Sequence, residues 1–210
     1  MEREAVSGTS KGRYTTYFVE YLTPDKSQLS MVLRHYYRGG LVRHLSLDSF
    51  VYTGLGRTRS VAELNMLQRM YELGLPVPKP IAARVERVNG LWCKNDILIE
   101  TIDKSQDCFN ALKNNKLSSS CWFNIGQTIR RFHDLGVDHT DLNIHNILLN
   151  EREEVFLIDF DRCAFRTQVG EWKEKNLQRL QRSLLKERSL HLEFNYSATD
   201  WQQLLAGYNR

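Results

Sequence analysis

Three oxygen-bearing side chains stand at a spacing that suits phosphoryl transfer. Asp141 lies within His139-Thr-Asp-Leu-Asn-Ile-His-Asn146, Asn146 closes that stretch, and Asp159 follows in Ile158-Asp-Phe-Asp161 after a short apolar run. Moving a phosphoryl group asks little covalent work of a protein; it needs an oriented hydroxyl and neutralised phosphate charge. In that scheme Asp141 takes the hydrogen bond and then the proton of the acceptor hydroxyl. Asn146, through its amide oxygen, and Asp159, through its carboxylate, offer the hard oxygen donors that Mg²⁺ prefers. Each residue alone has a plainer reading, since Asp and Asn are common turn and cap formers. The joint spacing, in a loop that leads into a short hairpin, carries the chemistry. His139 reads chiefly as a brace for the loop and less as a participant.

Placing those groups requires a rigid frame on both sides of the loop. Upstream, Ser118 to Leu135 has the strongest helical pattern in the chain, and Gly136 is its stop signal. Downstream, Ile147–Leu149 and Val155–Ile158 read as short apolar strands joined by a polar turn. From Trp172 the chain reads as helical, with a last short helix over Asp200–Tyr208.

The first half has a different character. Tyr14–Tyr21 and Leu29–Arg34 read as strands around the turn-forming Thr23-Pro-Asp-Lys-Ser27, hence a hairpin. Ser60–Leu73 reads as a helix with Ser60 as its N-cap and Gly74 and Pro76 beyond its end. Ile81–Val88 and Asp96–Ile102 read as paired strands around Asn89-Gly90. The expected fold is therefore α+β and two-lobed, with a sheet-rich N-lobe over 1–102 and a helical C-lobe over 103–210, and ligands commonly bind at such boundaries.

The pattern H-x-D-L-x-x-x-N followed by D-F-x is the catalytic loop and metal-binding motif of kinase folds. That implies ATP as donor and gives meaning to weaker signals upstream. Arg34 closes a Val-Leu-Arg strand where kinase folds place the Lys of their third strand, although a guanidinium fork is not an ammonium point charge. Glu63 is the candidate helix acid to pair with it; Ser60-x-x-Glu63 is equally a capping box. The small-residue segment Ser7–Gly12 reads as a loop whose backbone at Gly8, Ser10 and Gly12 approaches phosphate. In the connector near Glu100 to Asp103, Glu100 and Ile102 are the remaining nucleotide candidates.

Bulk properties agree with a folded chain. Apolar residues make up 41% and charged residues 26% of 210, the usual globular mix. Cys93, Cys108, Cys121 and Cys163 show neither CxxC spacing nor disulfide-framework density, which suits a reducing cytoplasm. No run is long enough to cross a bilayer and no signal peptide stands at Met1. The net charge of +4 is spread among acids, and no motif for reading RNA or DNA appears, so no nucleic-acid partner is expected.

Several departures point away from a protein substrate. Thr140 stands for the Arg beside the catalytic Asp of protein kinases, Asn143 for the Lys two residues after it, and Asp161 for the Gly of D-F-G. Only 49 residues follow Asp161, without an A-P-E, a reduced C-terminal part too small for a peptide platform. With these in view the chain resembles the lipopolysaccharide-core kinases, most closely those acting on 3-deoxy-D-manno-octulosonic acid (Kdo). The resemblance rests on Gly12-Arg-Tyr-Thr-Thr-Tyr-Phe18, Leu33-Arg-His-Tyr-Tyr-Arg-Gly-Gly-Leu41, Gly74-Leu-Pro-Val-Pro-Lys-Pro80 and the 139–149 and 158–161 blocks. It implies a protein-kinase-like fold, ATP with Mg²⁺, the 4-hydroxyl of Kdo–lipid A as acceptor, and work at the cytoplasmic face of a Gram-negative inner membrane. The six residues before Ser7 are fewer than the full first strand it implies.

Two basic stretches suit an anionic lipid-sugar at an anionic inner-membrane surface. Arg34, Arg38 and Arg43 alternate with Tyr36 and Tyr37, and Lys173, Lys175, Arg179, Arg182, Lys186 and Arg188 dominate 173–188. The bland alternative makes them solvated faces of a strand and a helix. Other readings of the whole are a kinase for heptose or another small sugar, and a silent kinase-fold binding module; the presence of Asp141, Asn146 and Asp159 together argues against the last.

Overall fold

The computed structural model describes residues 5–11, 15–37, 48–168 and 170–210, with side chains from residue 16 onward. The chain divides into two compact units, one of residues up to 71 together with 78–101, the other of 72–77 together with 102–210.

The first unit is a six-stranded antiparallel sheet with one long helix. Strands β1 (Ala5–Lys11), β2 (Thr15–Leu22), β3 (Gln28–His35) and β6 (Trp92–Glu100) lie side by side in that order. β5 (Pro80–Arg87) covers one edge of β6, and the two-residue β4 (Phe50–Val51) pairs with Cys93 and Trp92. β2 and β3 form the expected hairpin, with Thr23, Asp25 and Ser27 hydrogen-bonded among themselves at its tip. β-branched and aromatic residues fill β2, as a pleated half-buried surface favours. Helix α1 (Arg59–Glu72) buries Met66, Leu67 and Met70, which join Met31, Cys93 and Ile97 in the core. Gly74, at φ 70°, ends the helical run as its position predicts.

Two expectations for this unit are corrected. Ser60 is not the N-cap: it lies inside α1, fully buried, and its hydroxyl donates to Asn95 Oδ1 at 3.1 Å and the Arg84 carbonyl at 3.3 Å. A helix begun one residue earlier turns that serine toward the sheet. Ser7–Lys11 is strand rather than loop; pairing with Phe18, Tyr17, Thr16 and Thr15 overrides its glycine, and the ladder shifts register between Val6 and Gly8. Gly12, Arg38 and Arg43 lie outside the described residues.

The second unit is built on helices. Ser118 caps α3 (Ser119–Asp134) by accepting from the Cys121 N–H, and Trp122, Ile125, Ile129 and Phe132 form its buried stripe. α5 (Ala198–Tyr208), opened by a Ser197/Asp200 capping box, packs on α3 through two glycines. A Cβ on Gly126 would stand 2.0 Å from the Leu204 carbonyl oxygen, and one on Gly207 2.0 Å from that of Phe123. Only glycine at both positions permits this approach. His133 accepts from or donates to the Tyr208 hydroxyl at 2.7 Å across the same contact.

Short strands surround the loop that follows α3. β7 (Ser105–Asp107), β9 (Ile147–Asn150) and β10 (Val155–Leu157) form one small sheet, and β8 (Val137–Asp138) pairs with β11 (Ala164–Phe165). The seven-residue helix α2 (Cys108–Asn114) is capped by Asp107, and α4 (Trp172–Leu190) lies beside the loop. Gly74-Leu-Pro-Val77 belongs to this unit. Leu75 and Val77 are buried, the Pro76 carbonyl accepts from the Leu157 N–H, and that of Gly74 from Arg131. No helix among the described residues is long and apolar enough to cross a membrane.

Candidate active site

The loop between β8 and β9 presents Asp141 outward and turns its neighbours inward. The side chain of Asp141 is 61% exposed, while His139, Leu142, Ile144 and Asn146 are buried around it. Two bonds converge on the Asp141 carbonyl: Asn143 Nδ2 donates at 2.9 Å and Asn146 Nδ2 at 3.0 Å. The second has a chemical consequence. Spending the NH₂ of Asn146 on the backbone fixes the orientation of its amide and leaves Oδ1 as its acceptor atom. The Asn146 carbonyl in turn accepts from the Ile158 N–H at 3.1 Å, which ties the loop to the residue before Asp159.

Asp159 holds φ at 63°, a left-handed conformation that costs a non-glycine residue about 1 kcal/mol or more. Phe160 beside it is buried, stacks on Phe132 and meets the His139 ring at a tilt. This aromatic wedge fixes the aspartate at the end of its strand. The donor set of one amide oxygen and one carboxylate fits Mg²⁺, which is held by few protein oxygens together with phosphates and waters.

His139 is a brace. Its Nε2 faces the Ile158 carbonyl at 3.0 Å, and a carbonyl can only accept, so Nε2 carries the proton. Nδ1 is then a bare acceptor, buried without a partner among the described residues. Burial lowers the pKa of the ring, so it stays neutral and clamps the loop against the strand.

Sequence reasoning placed a helix from Trp172 but missed that this helix, α4, holds the loop. Along α4, Asn176, Arg179, Ser183 and Glu187 recur at helical spacing, and each meets a successive part of the loop. Asn176 donates to Asp138 Oδ1 and accepts from the His139 N–H, both at 3.0 Å. Arg179 Nη1 stands 4.0 Å from Asp141 Oδ1. Ser183 Oγ accepts from the Ile144 N–H at 3.1 Å, and Glu187 lies 3.6 Å from His145 Nε2. Buried Asp138 also receives Arg166 Nε and Nη2 at 2.9 Å. Of the basic residues in 173–188, Lys173 and Lys175 pair with Asp134 and Glu171. Arg182, Lys186 and Arg188 form no ion pair among the described residues.

In the first unit, Arg34 and Glu63 meet as the sequence suggested. Arg34 Nη2 donates to both carboxylate oxygens of Glu63 at 2.5 Å, and the Tyr36 hydroxyl donates to the same carboxylate. Glu63 therefore serves this buried pair and not a capping box with Ser60. Tyr36 is buried too; burial first, then the charge of Glu63, pushes its phenol pKa up. Arg34, with its side chain 20% exposed, and the buried Tyr36 are thus both bonded to Glu63. Gly8 and Ser10 lie on β1. Glu100 ends β6 with Lys79 at 3.8 Å, and the Ile102 carbonyl accepts from Ser105.

Comparison with known proteins extends this picture. The family model described as the lipopolysaccharide kinase (Kdo/WaaP) family matches residues 1–208. A protein of Photobacterium profundum named 3-deoxy-D-manno-octulosonic acid kinase is 47% identical over 204 residues, covering 97% of this chain and 83% of its own. One of the same name from Mannheimia succiniciproducens is 43% identical over 210 residues, covering 99% and 86%. A Haemophilus influenzae protein, again so named, is 44% identical over 214 residues, covering 100% and 87%. Among solved structures, one titled WaaP in complex with acyl carrier protein aligns with a TM-score of 0.59 at 15% identity, covering 98% of this chain and 79% of that one. That likeness identifies the protein-kinase-like fold.

Proposed function

We propose, from the premise that the chain belongs to the lipopolysaccharide kinase (Kdo/WaaP) family, that it is a 3-deoxy-D-manno-octulosonic acid kinase using ATP and Mg²⁺. One observation carries the proposal: 43–47% identity over nearly the whole chain to three proteins of that name, in a chain whose loop exposes Asp141 and fixes the amide of Asn146.

Asp141 orients the 4-hydroxyl of the Kdo unit on lipid A and takes its proton as the oxygen attacks the γ-phosphorus of ATP. The bond from that phosphorus to the β-phosphate oxygen breaks, and ADP leaves. Asn146 Oδ1 and the Asp159 carboxylate would hold the metal, which would neutralise phosphate charge when bound. Arg34, paired with Glu63, suits the ATP phosphates by its charge, and Gly8, Ser10, Glu100 and Ile102 are the remaining nucleotide candidates of the first half. The N-terminal part is thereby the nucleotide lobe and the C-terminal part the catalytic lobe. Because ATP and the lipid-linked acceptor meet at the cytoplasmic face of the inner membrane, we place the enzyme there as a peripheral protein. The unpaired Arg182, Lys186 and Arg188 of α4 suit its anionic surface.

The test is ADP release with Mg-ATP and a Kdo–lipid A precursor, run beside a heptosylated acceptor and the Asp141→Ala variant. The Kdo acceptor supports turnover, and Asp141→Ala lowers kcat by about 100-fold or more. Turnover that survives Asp141→Ala removes the catalytic assignment, and turnover confined to the heptosylated acceptor moves the enzyme to another sugar.

A further inference from the structure

Arg179 occupies a position that phosphate chemistry alone does not explain. Its side chain is 48% exposed, and its single ionic neighbour among the described residues is Asp141, at 4.0 Å. That distance exceeds a hydrogen bond, so the fork of five N–H donors is left largely unspent beside the carboxylate that receives the acceptor. Its base is fixed. One turn on either side, Asn176 and Ser183 are hydrogen-bonded to the loop at His139 and Ile144, so the arginine is held in register with Asp141.

We infer that Arg179 is the residue that selects an acidic sugar, by binding the carboxylate of the ulosonic acid while Asp141 binds its hydroxyl. The inference rests on the proposed Kdo kinase activity and adds an acceptor-specificity residue to it. A 3-deoxy-octulosonic acid carries its carboxylate on the anomeric ring carbon, two ring bonds from the carbon bearing the 4-hydroxyl. One residue reading each group therefore fixes the sugar's orientation. An anionic acceptor brought to Asp141 also meets like charge from that carboxylate and from ATP, which a guanidinium at this place offsets. A planar fork matches a carboxylate through two parallel hydrogen bonds in a way that an ammonium does not. Neutral heptose offers no such group. Of the other basic residues on the helix, Lys173 and Lys175 are engaged by Asp134 and Glu171, and Arg182, Lys186 and Arg188 form no ion pair with Asp141 among the described residues.

The experiment is steady-state kinetics of the full chain, wild type, Arg179→Gln and Arg179→Lys, in detergent micelles. Each enzyme is given the Kdo–lipid A precursor and the same acceptor with its Kdo carboxyl esterified. For Arg179→Gln the KM for the acid acceptor rises about 10- to 100-fold, the range of a hydrogen bond to a charged group, while the KM for ATP stays put. Wild type suffers the same rise on the ester, Arg179→Gln suffers no further one, and Arg179→Lys falls between. The wild-type comparison needs no variant to fold. Losses that multiply between the variant and the ester overturn the inference, as does a fall in kcat equal on acid and ester, which would assign Arg179 to the phosphoryl group. Absence of wild-type turnover on the acid acceptor refutes the Kdo kinase proposal itself, whereas wild-type turnover with Arg179→Gln kinetics unaltered refutes only the role of Arg179.

Discussion

Replacing Asn176 by leucine would remove two buried hydrogen bonds while keeping the branched shape of the side chain. Asn176 is 3% exposed, donating to Asp138 and accepting from the His139 N–H at 3.0 Å each. Without it the His139 N–H has no acceptor in the interior, a cost of about 1–3 kcal/mol. Asp138 keeps Arg166 but loses one charge-assisted bond, about 1.5–3 kcal/mol. Together the variant loses about 3–5 kcal/mol, a large fraction of a typical domain's stability, and melts about 10 °C lower. Because His139 stands two residues before Asp141, kcat in the ADP-release assay falls as well, even at temperatures where the variant is folded. Scanning calorimetry and kinetics on Asn176→Leu and on the exposed control Glu174→Gln read both effects. A melting point within 2 °C of wild type, in the frame of that size scaling, would refute the bonding argument. A lowered melting point with intact kcat would show that α4 supports the fold without positioning the loop.

Acid should weaken the α3–α5 contact. Burial lowers the His133 pKa from 6.5 to about 4, so the unfolded chain takes the proton first. Stability from this group is complete above pH 6.5 and drains as pH falls from 6.5 toward 4, by about 3 kcal/mol in all. Urea unfolding across that window should show a steeper acid limb for wild type than for His133→Phe, and equal limbs would sink the assignment. Gly207→Ala should cost about 1–3 kcal/mol by forcing the helices apart at Phe123. A melting point at or above that of wild type would mean the crossing is looser than it stands here.

The parts of the site that the sequence made legible are those whose chemistry is local. His139–Asn146 and Asp159 lie on one loop and the strand after it, so their spacing along the chain is their spacing in function. Gly136 marked the end of α3 because a stop signal acts within one turn. The partners contributed by α4 were not legible. Asn176 and Ser183 look like ordinary helix-surface residues, and the lysines and arginines around them suggest a solvated or membrane-facing helix. Only tertiary placement shows that one edge of the helix reads the loop and that Arg179 belongs to it. Helix α2, at seven residues, is too short for periodicity to declare. Ser60 misled because a serine three residues before a glutamate fits a capping box, while the buried Arg34–Glu63 pair claims that glutamate and the helix starts one residue earlier.

Since α4 touches the loop at Asp138, His139, Asp141, Ile144 and His145, these two segments form a single unit of inheritance, although about thirty residues of chain separate them. A lineage that exchanged Asn176 for an apolar residue would strand the N–H of residue 139, and a change at 183 would strand the N–H of residue 144. Substitutions at 176, 179, 183 and 187 should therefore travel through descent with substitutions in 138–145. Grafting a foreign catalytic loop onto this protein should succeed only when the matching helix is transplanted with it.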